Sequence, residues 1–72
     1  MEFAILTQNK EMVVPFRYTI EIEQIYGKGT CVIYMGSTEL GTYANMDRAK
    51  QVLDSICNDI YSGSPVYAMP EE

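Results

Sequence analysis

Between Met46 and Ile60 the chain carries its one clear run of helical apolar spacing. Ala49, Val52, Leu53, Ile56 and Ile60 follow each other at i, i+3, i+4, i+7 and i+11, which aligns them as a single stripe on an α-helix. Lys50, Gln51, Asp54, Asn58 and Asp59 take the opposite side, with Lys50 and Asp54 at the i, i+4 distance where unlike charges meet. Asn45 is placed to cap the first turn, and Asp47 puts a negative charge where the helix dipole favours it. Gly63 and then Pro65 end the helix. A lone helix cannot bury its own stripe, so the rest of the chain must supply the surface that covers it.

The rest reads as strands. The clearest strand runs from Phe16 to Tyr26: Phe16, Tyr18, Ile20 and Ile22 alternate with Arg17, Thr19, Glu21 and Glu23, the period of two that gives one buried and one wet face. Gly27-Lys28-Gly29 supplies a tight hairpin, and TCVIYM at 30–35 returns as a central strand that is apolar on both faces. Residues 36–39 turn the chain again, and Leu40 to Tyr43 makes a short last strand. Before this meander, Met1 to Leu6 reads as a first strand, residues 7–11 as its polar turn, and residues 12–14 as a brief extended segment interrupted by Pro15. The expected fold is therefore α+β: a three- to four-stranded antiparallel β-meander with one C-terminal amphipathic helix packed on one face. Residues 1–63 form the domain, and residues 64–72 an extended tail. Val66, Tyr67 and Met69 are too apolar for a solvated end. Two readings stay open: the tail docks as an edge segment, or it presents a strip to a partner.

With 72 residues there is room for one domain, and a chain of this length buries only about 60% of the surface it exposes when unfolded. Ten acidic residues against five basic ones give a net charge of −5, and Lys10, Arg17, Lys28, Arg48 and Lys50 do not cluster. That balance argues against a phosphate-backbone binder, which needs grouped cations, and no nucleic-acid partner is expected. No apolar run approaches the roughly 20 residues of a membrane span, so no membrane partner is expected either. MEFAILTQNK lacks the pattern of a secretory leader, and a cytoplasmic setting is expected. Cys31 and Cys57 read as small reduced apolar residues on packed faces.

The sequence argues against most catalysis. The chain has no histidine, the side chain that most often serves as general base and metal ligand near neutral pH. No catalytic residue, metal ligand or cofactor is assigned. GKGT at 27–30 fails as a phosphate loop, because Ile22 holds the place of the first glycine and Gly29 that of the Ser or Thr. It fails as a dinucleotide fingerprint because Val32 stands at the third glycine. Glu21 and Glu23 share one strand face without the apolar surroundings that separate the pKa values of an acid–base pair, so they read as a solvated face, or as an acidic strip offered to a basic protein. Six tyrosines are many for this length. Tyr18, Tyr34 and Tyr43 fall on strand faces as core or half-core, whereas Tyr26, Tyr61 and Tyr67 lie near element ends, where a tyrosine is expected to be exposed. These three, with Met69, Glu21 and Glu23, are the candidates for a protein contact.

LGTY at 40–43, RAKQVLDSI at 48–56 and YAMPEE at 67–72, with an opening strand that ends in ILTQNKE, resemble small proteins of Gram-positive phages, prophages and integrative elements. In NMDRA, Asp47 matches the acidic residue that such proteins place before Arg-Ala, and Asn45 stands where they carry Thr or Ser. The resemblance implies a mobile-element origin and brings no catalytic residues with it. The function expected on these grounds is non-enzymatic: contact with, or modulation of, a host or phage protein, with self-association as a homodimer also open. The alternative is an oligomeric small-ligand binder, a sponge for a nucleotide signal acting against host defence, whose pocket would lie between copies.

Overall fold

The computed structural model describes residues 3–17, 19–25, 27 and 29–72. Its elements are β1 (Ala4–Leu6), β2 (Val13–Pro15), β3 (Ile20–Gln24), β4 (Cys31–Met35), β5 (Thr38–Tyr43), α1 (Met46–Ser62) and β6 (Val66–Ala68). The class is α+β, but the single expected meander is corrected to two three-stranded sheets, ordered β2-β1-β6 and β3-β4-β5. Only β3, β4 and β5 form the meander. The strand read over 16–26 shortens to Ile20–Gln24, while Tyr18 and Tyr26 lie outside the described residues.

The first sheet is built by the two ends of the chain. β1 pairs antiparallel with β2, matching Ala4 with Pro15 and Leu6 with Val13, and parallel with β6, matching Ile5 with Tyr67. Met69 N donates to Leu6 O (3.0 Å) and Ala4 N to Pro65 O (2.9 Å), so the tail is docked along its length. Proline is tolerated in β2 because hydrogen bonds run from Thr7 N to Met12 O and from Phe16 N to Phe3 O. By the alternation of an antiparallel ladder, Pro15 then faces away from β1, where a missing N–H costs nothing.

The helix follows its sequence signals. Asn45 Oδ1 accepts from Arg48 N at 2.8 Å. At the other end Gly63 takes a left-handed φ of 81°, and Ser64 N reaches back to Asp59 O at 3.0 Å, which satisfies carbonyls the last turn leaves open. Ala49, Val52 and Ile56 are buried and α1 lies against β4 and β5, while Leu53 packs at the margin of the core and Ile60 is exposed. Cys31 is buried, but Cys57, one position past Ile56 on the helix, is exposed rather than on a packed face. The core joins Ile5 and Tyr67 of the first sheet, Ile33, Met35, Leu40 and Tyr43 of the second, and the helical stripe.

Candidate functional site

Three-residue strands alternate like long ones, and in the first sheet the alternation has an unusual result. Ile5, Val14 and Tyr67 turn towards the core. Their neighbours Ala4, Leu6, Val13, Pro15, Val66 and Ala68 share the opposite face, and all six are apolar. Val13 is 60% and Val66 50% exposed. Three strands about 4.8 Å apart and three residues long make a face of about 15 by 10 Å. The stable interfaces of globular proteins take about 800 Å² from each partner. The face therefore suits the apolar centre of a contact whose rim lies on surrounding residues.

The second sheet presents the opposite chemistry. Register sets Glu21 beside Tyr34 and Tyr34 beside Glu39, and next to that row Glu23, Val32 and Thr42. Glu21, Glu23 and Glu39 are exposed, and Tyr34 stands half-buried between two carboxylates. An open depression of about 650 Å³ lies between residues 21–24 of β3 and Tyr34, Gly36 and Ser37. Its two glutamates oppose any phosphate that would settle there. Among the described residues no three or more His, Cys, Asp or Glu side chains come together as a metal site, and no helix is long and apolar enough to cross a membrane.

The two edges of this sheet are treated differently. On β5, Gln8 closes the edge: its backbone N donates to Leu40 O (2.8 Å), its Nε2 donates to Thr42 O (2.9 Å), and its Oε1 accepts from Thr42 N (2.8 Å). The same Nε2 lies within reach of Pro70 O (3.2 Å) and Glu71 O (2.9 Å), so one amide ties the first sheet, the second sheet and the tail. Tyr43 adds a hydrogen bond from its hydroxyl to Pro70 O (2.8 Å), with the Arg48 guanidinium 6.0 Å from its ring centre. Burial, reinforced by the neighbouring Tyr67 and opposed by Arg48, pushes the Tyr43 phenol up to about 12. Burial raises Tyr67 as well.

On β3 nothing comparable among the described residues closes the edge. Gly36 N donates to Thr19 O and Ile25 N to Thr30 O, which fixes Glu21 and Glu23 as the residues bonded to β4 between them. The N–H and C=O groups of Ile20, Ile22 and Gln24 then point outward, and no hydrogen bond among the described residues reaches them.

Of the contact candidates read from the sequence, Glu21 and Glu23 stand together on the exposed face of β3. Tyr61, 93% exposed, sits on the last turn of α1. Tyr67 and Met69, at 8% and 3% exposure, are buried within the chain, because β6 pairs with β1 and turns them inward; this corrects the expectation that Tyr67 is exposed. Tyr26 lies outside the described residues. Gln8 and Val13 carry no signal in the sequence, and Val66 stands out only as part of a tail too apolar for a solvated end. The strands that expose the two valines are too short to show an alternation, and a glutamine in a turn carries no signal of what it will reach. The chain matches no family model, no curated protein and no solved structure.

Proposed function

We propose that this chain is a non-enzymatic protein-contact module of a mobile genetic element, which binds a host or phage protein. The apolar outer face of the first sheet carries the reading. An apolar sheet face that no other element of the chain covers is a place where another macromolecule can dock. The mobile-element origin enters with the resemblance of the LGTY, RAKQVLDSI and YAMP segments. The lack of histidine supports a binding role over catalysis. A nucleotide-signal sponge is the less favoured reading, since it needs a pocket between copies and the open depression within one copy is walled by Glu21 and Glu23.

The test replaces Val13 and Val66 with lysine. Both side chains are half-exposed or more, so the fold tolerates the change and far-ultraviolet circular dichroism stays the same. Affinity capture from a Gram-positive host lysate is expected to enrich a defined protein with the unsubstituted chain and to lose it with the double variant. Identical captures from both would refute the reading. Sedimentation of the same pair distinguishes self-association, since a homodimer held by this face dissociates when Val13 becomes lysine.

A further inference from the structure

We infer that the free edge of β3 receives an extended partner segment of alternating basic and apolar residues, which adds to the second sheet as a fourth strand. The inference rests on the reading of the chain as a protein-contact module but makes no use of Val13 or Val66.

Three observations converge on that occupant. First, Ile20, Ile22 and Gln24 offer outward N–H and C=O groups in the spacing a new strand needs, with no proline among them. The other edge of the same sheet is closed by Gln8, so addition is directed to β3. Second, Ile20 and Ile22 pack against the core but remain only half-buried, because α1 lies over β4 and β5. An incoming apolar side chain beside them extends the core. Third, Glu21 and Glu23 project on the opposite face about 7 Å apart, the repeat of a strand, and border the open depression. Basic side chains two positions apart on the incoming strand fall beside them. The complementary segment is thus basic, apolar, basic.

A second copy of the chain is the wrong occupant. Antiparallel pairing of two β3 strands about Ile22 sets Glu21 of each against Glu23 of the other, and like charges directly opposite are destabilising. The same carboxylates that guard the edge against its own kind select a cationic strand.

The probe is a short blocked peptide of alternating lysine and valine, with a peptide of the same composition in separate lysine and valine blocks as control. Bound to the full chain, the alternating peptide is expected to slow amide exchange at Ile20, Ile22 and Gln24 by about tenfold or more, as new strand hydrogen bonds do. The control leaves those amides unchanged. Glu21→Lys with Glu23→Lys is expected to weaken the peptide by about tenfold at low salt and to favour a glutamate–valine peptide instead. Glu21→Gln with Glu23→Gln gives the intermediate result should the reversal disturb the fold. No binding, binding without protection at those three amides, or equal binding to the charge-reversed chain would overturn the inference. Lysate capture that still depends on Val13 and Val66 would then show that strand addition alone had failed.

Discussion

Gln8 is the residue whose loss should tell most about how so small a chain holds together. Its side chain joins Thr42 in both directions and reaches the carbonyls of Pro70 and Glu71. Nε2 has two hydrogens for three carbonyl oxygens, so one contact is shared and the firm count is three hydrogen bonds. At about 0.5–1.5 kcal/mol each, and with water able to replace part of them at this half-buried site, Gln8→Ala should cost about 1–3 kcal/mol. Against the roughly 4–11 kcal/mol expected for a domain of this length, that is a large fraction. Each kcal/mol lowers the melting temperature by about 4–8 °C at this size. Gln8→Glu keeps the acceptor for Thr42 N but turns a negative oxygen towards carbonyls, so at pH 7 it should be at least as damaging as alanine. The folded state favours the protonated carboxyl there, which can donate. Its pKa is therefore raised on folding, and the stability of Gln8→Glu relative to the unsubstituted chain should recover as pH falls through that raised value, the recovery being complete below the ordinary glutamate value of about 4.3. Urea titrations of the three chains at neutral and acid pH, followed by circular dichroism, measure this. A Gln8→Ala cost under about 0.5 kcal/mol, the range of neutral surface changes, would show that the amide does not tie the sheets to the tail.

Gly41→Ala places a methyl group 3.0 Å from the Tyr43 hydroxyl oxygen and 3.1 Å from Tyr43 Cε2 and Gln8 Cβ, and should cost about 1–3 kcal/mol by urea unfolding; an unchanged midpoint would show that the ring does not lie over this glycine. Leu53→Ala, at the margin of the core, should cost about 2 kcal/mol, and Ile56→Ala, 2% exposed, more than that within the usual range of about 2–5; a Leu53→Ala change under about 0.5 kcal/mol would show that the helix lies differently. Tyr43 is neutral in the folded chain up to about pH 12 but ionises from its ordinary value of 10.0 when unfolded, so its contribution is whole below pH 10 and is lost as pH rises through 12. Tyr43→Phe should flatten the loss of stability over that interval, and phenolate absorbance should show Tyr43 and Tyr67 titrating above the ordinary tyrosine value of 10.0.

The parts of the fold that were legible are those whose signal repeats. The helix shows its period over four turns and is bracketed by Asn45 and Gly63, and its ends fall where those residues place them. The meander is legible from Ile20 to Met35 because glycines separate an alternating run from one that is apolar on both faces. The first sheet is not. Each of its strands has three residues, too few for a period of two to declare itself, and its decisive contact sets Ile5 beside Tyr67 from the far end of the chain. That pairing inverts the expected exposure of Tyr67, and with it the place of the apolar surface, which passes from Tyr67 and Met69 to Val66 and Ala68. Cys57 fails for a simpler reason: a residue next to Ile56 lies about 100° around the helix from it, which carries it off the stripe. Glu21 and Glu23 were legible as an exposed pair, but not as the border of an open edge, since an edge is defined by which strand is absent beside it.

That contrast between edges gives the Gln8 substitution a second consequence. In the folded chain β5 is closed by a side chain and β3 is guarded by charge, two different answers to the hazard of an unpaired strand. Removing the amide uncovers the N–H and C=O of Thr42 while leaving Glu39 as the one charged side chain on β5. A single carboxylate opposes pairing less than two at strand spacing do. Gln8→Ala should therefore associate more than the unsubstituted chain as concentration rises, through β5 rather than β3. Sedimentation velocity over a concentration series reads the difference. Thr42→Pro, which removes the newly exposed N–H, should suppress the association in the Gln8→Ala background. If the two chains sediment alike at every concentration, the glutamine is not what closes that edge, and β5 then competes with β3 for a partner strand.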